Sequence, residues 1–373
     1  MSPSVVRRLP ETAFKAYTDG MKSGLTLLAP LLVCLGVVFY TPTARSQAAP
    51  HTDGSLRVYF IDVEGGQSTL FVTPAGQSLL IDTGWPGNNY RDADRIAGAA
   101  KQAGISKIDY VLLTHYHADH TGGVPQLVSR IPVGAFIDHG PNREMDHGIT
   151  EKDYSEYQKV LAAGTYQHIV GKPGDTLPIK GMDAHVISAD GNLISSPLPG
   201  AGQANPYCAT SEVRPADQTE NSKSLGIEIT FGSLKILDLG DLTWDKEMQL
   251  MCPQNKLGKV DILIVSHHGW EQSSSPALVD AIGARVAIMD NGAKKGGSTP
   301  VLKTFLKAPG LETLWQIHFS EEGGMENNTP EKYIANVPGP DAGHGIELTA
   351  HGDGSFDVTN TRTGYKQNYA AKH

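Results

Sequence analysis

Repeats, low-complexity tracts and long apolar segments are scarce in this chain of 373 residues. No fixed-period repeat is present, which argues against a solenoid. Only one long apolar run occurs, residues 25–40, and Pro30 interrupts it. A membrane-spanning helix needs about 20 apolar residues, so we do not expect this run to remain as a membrane anchor.

The apolar run has the flanks of a secretory signal peptide. A lysine precedes it and the small-residue site SQAA follows it, with cleavage expected after Ala48 or Ala49. The twenty residues before Met21 do not fit such a leader, which favours Met21 as the true start. We therefore predict a signal peptide at 1–48, a single domain at 49–373, and export to a periplasmic or secreted location.

Cysteine is rare, and the predicted mature chain retains only Cys208 and Cys252. An even number of cysteines in an oxidising compartment permits a disulfide. Their spacing in the sequence does not show whether the two side chains meet, so a disulfide and two separate thiols both remain open.

Positive charge is also scarce. The whole chain carries a net charge of −9, with 31 lysines and arginines against 40 acidic residues. Residues 1–48 hold five lysines and arginines and two acidic residues. The predicted mature chain therefore has 26 basic and 38 acidic residues, a net charge of −12. This charge, and the lack of a basic cluster near the motifs below, argue against tight binding of long nucleic acids, whereas a small phosphorylated substrate remains compatible.

Apolar strand patterns alternate with amphipathic helix patterns from residue 56 onward, which is typical of an α/β protein with helices outside layered sheets. Strands are predicted at 56–63, 68–73, 78–82, 108–114, 134–138, 183–188, 259–268, 285–290, 312–317, 345–349 and 355–359, with a hairpin at 225–241. Helices are predicted at 91–103, 122–131, 151–163, 276–283 and 299–307. The Gly-, Pro-, Ser- and Asn-rich residues 190–221 are predicted as a long loop.

Three histidines and an aspartate follow the strand predicted at 108–114. Side chains alternate along an extended backbone, so His115 and His117 would point the same way, while Asp119 and His120 lie where the next helix opens. Imidazole and carboxylate groups bind zinc, iron and manganese. Two imidazoles, with a carboxylate and a third imidazole beside them, predict a metal centre at this strand end.

Two further strand ends carry residues of the same types. Asp241 follows the strand LKILDLG, and His267 and His268 follow the strand DILIVS. Asp241 alone would be interpreted as the N-terminal cap of a helix near Thr243. Ligands gather beyond the carboxyl ends of strands in α/β sheets, so the three strand ends together favour one shared centre, with Asp241 between two ions.

On these residues the chain resembles the metallo-β-lactamase superfamily. HYHADH at 115–120 matches its HxHxDH motif, and the likeness extends over about residues 56–320. The segments FIDVEGGQSTLF, LLIDTG, NSKSL, LDLGDL and VSHHGW fall in the order found in ComEC-type competence (DNA-uptake) proteins and their secreted stand-alone relatives. The resemblance implies an α/β fold, an αββα sandwich, with a one- or two-metal site between its sheets.

The resemblance also implies a role for each site residue. The implied metal ligands are His115 and His117 for a first ion, Asp119, His120 and His268 for a second, and Asp241 as a bridge. His267 would lie near the substrate, where it or Asp119 would transfer protons, although the neighbouring histidines could exchange roles. Asp82 of LLIDTG would orient a ligand histidine. The implied cofactors are two divalent ions, zinc first, with manganese or iron as alternatives.

The chain departs from the superfamily pattern in two places. Many members have a histidine in a Gly-His-Thr context between the HxHxDH motif and the bridging aspartate. In this chain four histidines lie between the two, and none of them has that context: His139, His147, His168 and His185. ComEC-type proteins have Asn and Ser instead, which Asn221 and Ser224 match. The family's Gly-rich turn DVGQGD is DVEGGQ here, which places Glu64 and Gln67 where they can alter the rim of the site.

These patterns favour an exported metallo-hydrolase of phosphoesters or phosphodiesters, in which the metal lowers the pKa of a bound water. Hydrolysis of a lactam, lactone or other ester is the alternative on the same fold, and iron-based redox chemistry is a third. A non-catalytic metal-binding module is an alternative of another class. Trp85, Tyr116 and Trp270 flank the motifs, and for each of them both pocket lining and ordinary packing remain open.

Overall fold

Two β-sheets pack face to face across an apolar interior, and helices cover their outer faces. This architecture is that of a computed structural model, which describes residues 53–145 and 148–372. The signal peptide predicted at 1–48 and the start predicted at Met21 lie outside the described residues, as does His147. The αββα sandwich implied by the resemblance is confirmed.

Nine strands of the described chain form the first sheet. In spatial order they are β19 (Lys366–Tyr369), β18 (Phe356–Asn360), β17 (Ile346–Ala350), β1 (Leu56–Phe60), β2 (Thr69–Val72), β3 (Ser78–Ile81), β4 (Ile108–Leu112), β5 (Val133–Asp138) and β6 (Gln167–Val170). Strands β3 to β6 run parallel, whereas the other pairs are antiparallel. The parallel strands therefore bring their carboxyl ends to one edge of the sheet.

Eight described strands form the second sheet. In spatial order they are β16 (Ile334–Asn336), β15 (Thr313–His318), β14 (Val286–Met289), β13 (Ile262–Ile264), β11 (Leu234–Asp238), β10 (Gly226–Phe231), β7 (Asp183–Ala189) and β8 (Asn192–Leu193). Strands β11, β13, β14, β15 and β16 are parallel. A separate two-stranded ribbon pairs β9 (Gln203–Ala204) with β12 (Gln254–Asn255).

Helices connect the parallel strands. The α-helices of the described residues are α1 (Arg91–Gln102), α2 (Ala118–Thr121), α3 (Val124–Leu127), α4 (Ile149–Ala163), α5 (Trp244–Met251), α6 (Pro276–Ile282), α7 (Thr299–Lys307) and α8 (Gly324–Asn327). Short 3-10 turns occur at Asn88–Tyr90, Pro206–Ala209, Glu220–Lys223, Ser266–Gly269 and Glu331–Tyr333. Within the described ranges, no helix combines the length and apolarity needed to cross a bilayer.

The apolar core has three layers. In the inner layer the two sheets meet, as Phe71 of β2 and Ile229 of β10 illustrate. One outer layer lies between the second sheet and α5 to α7, and contains Leu302. The other lies between the first sheet and α1 and α4, and contains Ile96 and Tyr157. Strands covered on both faces are apolar throughout, which is why the parallel strands appear as continuous apolar runs in the sequence.

Most predicted elements are present with slightly different bounds, and one strand prediction is wrong at its end. The strand predicted at 259–268 stops at Ile264, because a 3-10 turn begins at Ser266. Both His267 (φ 55°) and His268 (φ 54°) adopt left-handed backbone there, which strand periodicity does not anticipate. The helix predicted at 122–131 is also wrong in extent, because only the four residues of α3 are helical in that range, and α2 ends before it begins.

The sequence analysis missed several elements of the described chain, among them β6, β16 and β19, and it gave no bounds for the helix near Thr243, which is α5. Helix α5 has eight residues, too few for a clear helical period. Strands β16 and β19 lie at the edges of their sheets, and β19 is the mostly polar segment KQNY. An edge strand is held by pairing on one side, so its sequence needs little apolar patterning.

The loop predicted at 190–221 is tied to the end of α5. Cys208 in this loop forms a disulfide with Cys252, with Cα atoms 5.8 Å apart. The pairing of β9 with β12 joins the same two parts of the chain. The disulfide that the sequence left open is therefore formed, and it closes a covalent loop across the outside of the second sheet.

Breaking this disulfide is expected to lower the free energy of unfolding by about 3 to 4 kcal/mol, because loop closure restricts the unfolded chain. The two cysteines are 44 residues apart. We would measure urea denaturation of residues 49–373 with and without dithiothreitol. The double variant Cys208→Ser, Cys252→Ser is the control, since reductant should not change its unfolding. Equal stability of the oxidised protein and the double variant would contradict the prediction.

Candidate metal centre

The predicted ligand residues lie beyond the carboxyl ends of β4, β11 and β13, where the two sheets face each other. After β4 the backbone stays extended through His117 (φ −66°, ψ 153°) and then turns into α2. Gly123 permits the close approach of this turn to β3, since a Cβ there would lie 2.1 Å from the carbonyl oxygen of Thr83. The extended residues direct His115 and His117 to one point, and α2 presents Asp119 and His120 beside them.

Four buried residues converge between the sheets, and their ligand atoms all lie within 4.8 Å of one another, namely Asp119, His120, Asp241 and His268. His120 Nε2 lies 3.3 Å from both Asp119 Oδ2 and Asp241 Oδ2. His268 Nε2 lies 3.0 Å and 3.6 Å from the same two oxygens. Ligand atoms around a tetrahedral zinc, bound at about 2.0–2.1 Å, are separated by about 3.3 Å. The donor set therefore fits a divalent metal ion.

Carboxylates behind the two imidazoles determine which nitrogen faces the centre. Asp82 Oδ2 lies 2.6 Å from His120 Nδ1, and Asp290 Oδ1 lies 3.3 Å from His268 Nδ1. In a neutral His120 ring, Nδ1 then donates its proton to Asp82 and Nε2 keeps its lone pair. The Nδ1 of His268 has no hydrogen-bond partner in the described chain, and Asp290 is the carboxylate beside it. The two Nε2 atoms are 3.1 Å apart. Two lone pairs at this distance repel each other unless a proton or a metal ion lies between the two nitrogens.

A second pair of donors lies beside this group. His115 Nε2 and His117 Nδ1 are 3.1 Å apart. Thr114 Oγ1 donates to Asp82 Oδ2 at 2.6 Å, so it accepts from His115 Nδ1 at 3.1 Å. His117 Nε2 lies 3.2 Å from Glu144 Oε2 and donates to it. Both rings therefore direct a lone pair to the same point, which is the arrangement of a second metal position.

Asp241 lies between the two donor sets. Its Oδ2 is 3.3 Å from His120 Nε2 and 3.8 Å from His115 Nε2. Its buried Oδ1 has no hydrogen-bond partner among the described residues. The helix-cap interpretation is wrong, because α5 begins after Thr243 and no side chain caps it. An unpartnered carboxylate oxygen between two donor sets suits a bridging ligand.

The charges of the site favour the metal-binding forms of the two carboxylates and of His115. Burial would lower the pKa of His120 and of His268, but the surrounding carboxylates raise both, so these two imidazoles would release a proton when a metal ion binds. Burial alone would raise the pKa of Asp119, but the charges of Lys295 and His120 hold this pKa well below its usual value. Burial would also raise the pKa of Asp241, and the surrounding histidines lower it well below its usual value. Burial lowers the pKa of His115 well below its usual value. Near neutral pH the site offers ionised carboxylates and a neutral imidazole.

His267 lies next to the converging group and is not part of it. Its Nε2 is 3.4 Å from Asp241 Oδ2, and its ring packs edge-on against Trp270 with centroids 5.5 Å apart. Burial lowers the pKa of His267 to about 4, and its Nδ1 has no partner in the described part of the chain. Of the two neighbouring histidines, His268 is the one directed toward Asp119 and His120.

Several other residues singled out in the sequence have packing roles. Tyr116 is fully buried and its hydroxyl donates to the carbonyl of Gly140, so it belongs to the core and does not line the site. Gln67 is buried and donates to Asp238 Oδ2 at 2.6 Å, so its expected place at the rim is wrong. The described histidines between the HxHxDH motif and Asp241 have partners away from the centre: His139 contacts Glu220, His168 contacts Asp138, and His185 contacts Thr176.

Three residues at the centre were missed in the sequence, namely Glu144, Asp290 and Lys295. Asp290 and Lys295 follow β14, the strand next to β13, so the strand-end pattern could have been extended to MDNGAKKGG. Glu144 gave no local signal, because it lies in irregular chain. It is placed by the backbone N–H of Glu220, which donates to Glu144 Oε2 at 2.7 Å.

Removing the carboxylates behind the histidines is expected to weaken metal binding about 10- to 100-fold, because they fix the ring orientation and the tautomer. Asp82→Asn should weaken the site of His120 directly and that of His115 through Thr114. Glu144→Gln should weaken only the site that contains His117. Affinity would be measured by competition for zinc with a chromogenic chelator. Asp94→Asn, which changes an exposed carboxylate paired with Arg130, is the matched control. Wild-type affinity in both test variants would rule out this role.

Comparisons with known proteins agree with this geometry. A family model described as the metallo-beta-lactamase superfamily matches residues 62–203. Competence protein ComA of Neisseria gonorrhoeae is 23% identical over 286 residues, which are 76% of this chain and 33% of that protein. Hydroxyacylglutathione hydrolase of Stenotrophomonas maltophilia is 33% identical over 107 residues, 29% of this chain and 37% of that protein. The chain spans about a third of the length of these curated relatives.

Among solved structures, the metallo-beta-lactamase fold protein YhfI from Bacillus subtilis is 16% identical, with a TM-score of 0.43 and coverage of 70% of this chain and 96% of that chain. The matched residues include the HxHxDH segment at 115–120 and the strand β4 that precedes it. Residues 62–203 thus match the metallo-β-lactamase superfamily, and a larger part of the chain is similar to ComEC-type competence proteins.

Proposed function

We propose that the chain is an exported, metal-dependent hydrolase of phosphoesters, in particular phosphodiesters. The observation that carries the proposal is the presence of two donor sets that share Asp241, one containing His115 and His117 and the other His120 and His268. Two ions side by side suit displacement at phosphorus, because they stabilise both the attacking and the leaving oxygen.

Bound divalent ions would supply Lewis acidity and a lower pKa for bound water. The residues proposed to hold them are His115 and His117 for the first, Asp119, His120 and His268 for the second, and Asp241 for both. Asp82, Asp290 and Glu144 would keep the ligand histidines oriented through the contacts described above. The cofactor proposed first is zinc, with manganese and iron as alternatives that share these donors.

His267 and Asp119 are the residues proposed to move protons. His267 is neutral near pH 7, because burial lowers its pKa to about 4, so it can accept a proton. Its Nε2 lies within 3.4 Å of the proposed bridging carboxylate. Asp119 is ionised at that pH and can accept the proton of an attacking water.

The substrate proposed is a small phosphoester, and long nucleic acid is not favoured. The net charge of −12 on residues 49–373 repels extended polyanions. A small substrate experiences mainly the charges of the site, where metal ions and one lysine counter the acidic surface. Export, the other part of the proposal, is supported by the Cys208–Cys252 disulfide, since such bonds persist in oxidising compartments.

An ester-type hydrolase is the second candidate. The similarity to hydroxyacylglutathione hydrolase over 107 residues favours it, and the same donors would activate water for attack on a carbonyl carbon. A lactam or lactone substrate belongs to the same class. A metal-binding module without activity is the remaining alternative, and it differs from both enzymes in having bound metal but no turnover.

Residues 49–373 are expected to hydrolyse bis-p-nitrophenyl phosphate and to contain two metal ions per chain. Asp119→Ala and Asp241→Ala should each lower kcat at least about 1,000-fold, because each removes a charged donor, and a chelator should abolish turnover reversibly. Metal content would be determined on the same samples. Two bound ions without phosphodiester turnover would redirect the search to chromogenic lactams, lactones and esters, and absence of metal would refute the proposal.

His267 and His268 should differ in their effects on metal content and kcat when each is replaced by glutamine. His268→Gln is expected to lose one metal ion per chain, because His268 Nε2 belongs to the converging donors. His267→Gln is expected to keep both ions and to lower kcat about 100-fold, the usual effect of removing a general acid or base. Metal analysis and steady-state kinetics on both variants measure this. The opposite pattern would show that the two histidines have exchanged roles.

A further inference from the structure

A lysine lies at the mouth of the candidate metal centre. Lys295 Nζ contacts Asp119 Oδ2 and donates to the carbonyl of Gly65 at 2.7 Å. An ammonium group has three N–H donors, and the third has no acceptor in residues 53–145 or 148–372. The side chain is 21% exposed. Lys295 thus keeps one donor available to a solute next to a proposed metal ligand.

The loop that carries Lys295 is held in place by the site itself. The backbone N–H of Gly297 donates to the carbonyl of His268 at 2.8 Å, and that of Gly292 to the carbonyl of Lys295 at 2.8 Å. Gly296 has a left-handed φ of +75°, and a Cβ there would lie 2.2 Å from the carbonyl oxygen of His268. Only glycine permits this approach, so the two residues that follow Lys295 pack directly against the His268 backbone.

Two indole rings flank the ammonium. Lys295 Nζ lies 5.3 Å from the ring centroid of Trp85 and 5.4 Å from that of Trp270. The faces of indole rings attract cations, and both rings displace water from the ammonium. In a locally lower dielectric the attraction between the ammonium and an anion is stronger. The sequence left open whether Trp85 and Trp270 line the site or only pack in the fold, and these distances place both at the site.

A bound metal would leave the charge of Lys295 in need of a partner. Without metal, Asp119 neutralises the ammonium. With a divalent ion on the same carboxylate, Asp119 shares its negative charge between the ion and Lys295. An anionic oxygen of a substrate would then complete both the charge balance and the third hydrogen bond of the ammonium.

We infer that Lys295, held between Trp85 and Trp270, binds an anionic oxygen of the substrate and so selects phosphoesters over neutral lactams, lactones and esters. The inference rests on the proposed function, because it names the substrate class of the same site. It assigns Lys295 to substrate binding and to specificity, and it leaves the holding of the metal to the carboxylates and histidines.

Inorganic phosphate is the probe, titrated calorimetrically into metal-loaded residues 49–373. Lys295→Met is expected to weaken phosphate binding about 10- to 100-fold, the loss for one charge-assisted hydrogen bond. Lys294→Met makes the same change in net charge at a side chain that is 80% exposed, and it should bind phosphate as the wild type does. Lys295→Arg keeps the charge and should retain most of the affinity. Metal content is determined for every sample.

Kinetics separate this inference from the proposed function. In Lys295→Met the KM for bis-p-nitrophenyl phosphate should rise about 10-fold or more, while any hydrolysis of the neutral ester p-nitrophenyl acetate should be unchanged. Phosphate binding that depends on Lys295, without phosphodiester turnover, would support the inference and refute the proposed function. Phosphodiester turnover with an unchanged KM in Lys295→Met would support the proposed function and refute the inference.

Three results would overturn the inference directly. One is equal phosphate affinity in Lys295→Met and Lys294→Met. Another is loss of metal from Lys295→Met, which would assign the lysine to holding the metal through Asp119. The third is failure of the metal-loaded wild type to bind phosphate at all.

Discussion

The buried carboxylate of Asp82 is the contact on which both donor sets depend. It accepts from the backbone N–H of Thr114 at 2.8 Å and from its hydroxyl at 2.6 Å, and it lies 2.6 Å from His120 Nδ1. Through His120 it orients one donor set. Through Thr114, which accepts from His115 Nδ1, it orients the other. Asp82 and Thr114 follow the parallel strands β3 and β4, so strand pairing positions both sets at once.

The remaining donors come from the opposite sheet. Asp241, His268 and Asp290 follow β11, β13 and β14, which are successive parallel strands, and sandwich packing brings them to the HxHxDH segment. His268 lies within 3.0 Å of Asp119 although 149 residues separate them. A metal ion bound by both sheets would bind only the folded chain, and its binding free energy would therefore stabilise the fold.

The chemistry proposed for the centre follows from the unequal distribution of its charges. The carboxylates and imidazoles converge on positions suited to cations, while Lys295 is held at the mouth by Gly65 and by the loop that contacts His268. Two partly buried indoles restrict solvent around that ammonium. A strongly acidic chain thereby keeps a positive charge at its candidate site, which is why a small anionic ester is the substrate that we propose.

The sequence by itself determined the α/β class, the order of most elements and the cluster of ligand-type residues at strand ends, because periodicity and strand-end motifs are local. Only the tertiary structure decided which histidine of the pair 267–268 faces Asp119, since both have left-handed backbone that breaks strand alternation. Only the tertiary structure placed Glu144 and Lys295 and joined Cys208 to Cys252. These contacts span 27 to 176 residues, and packing of the two sheets, which no local pattern encodes, sets them.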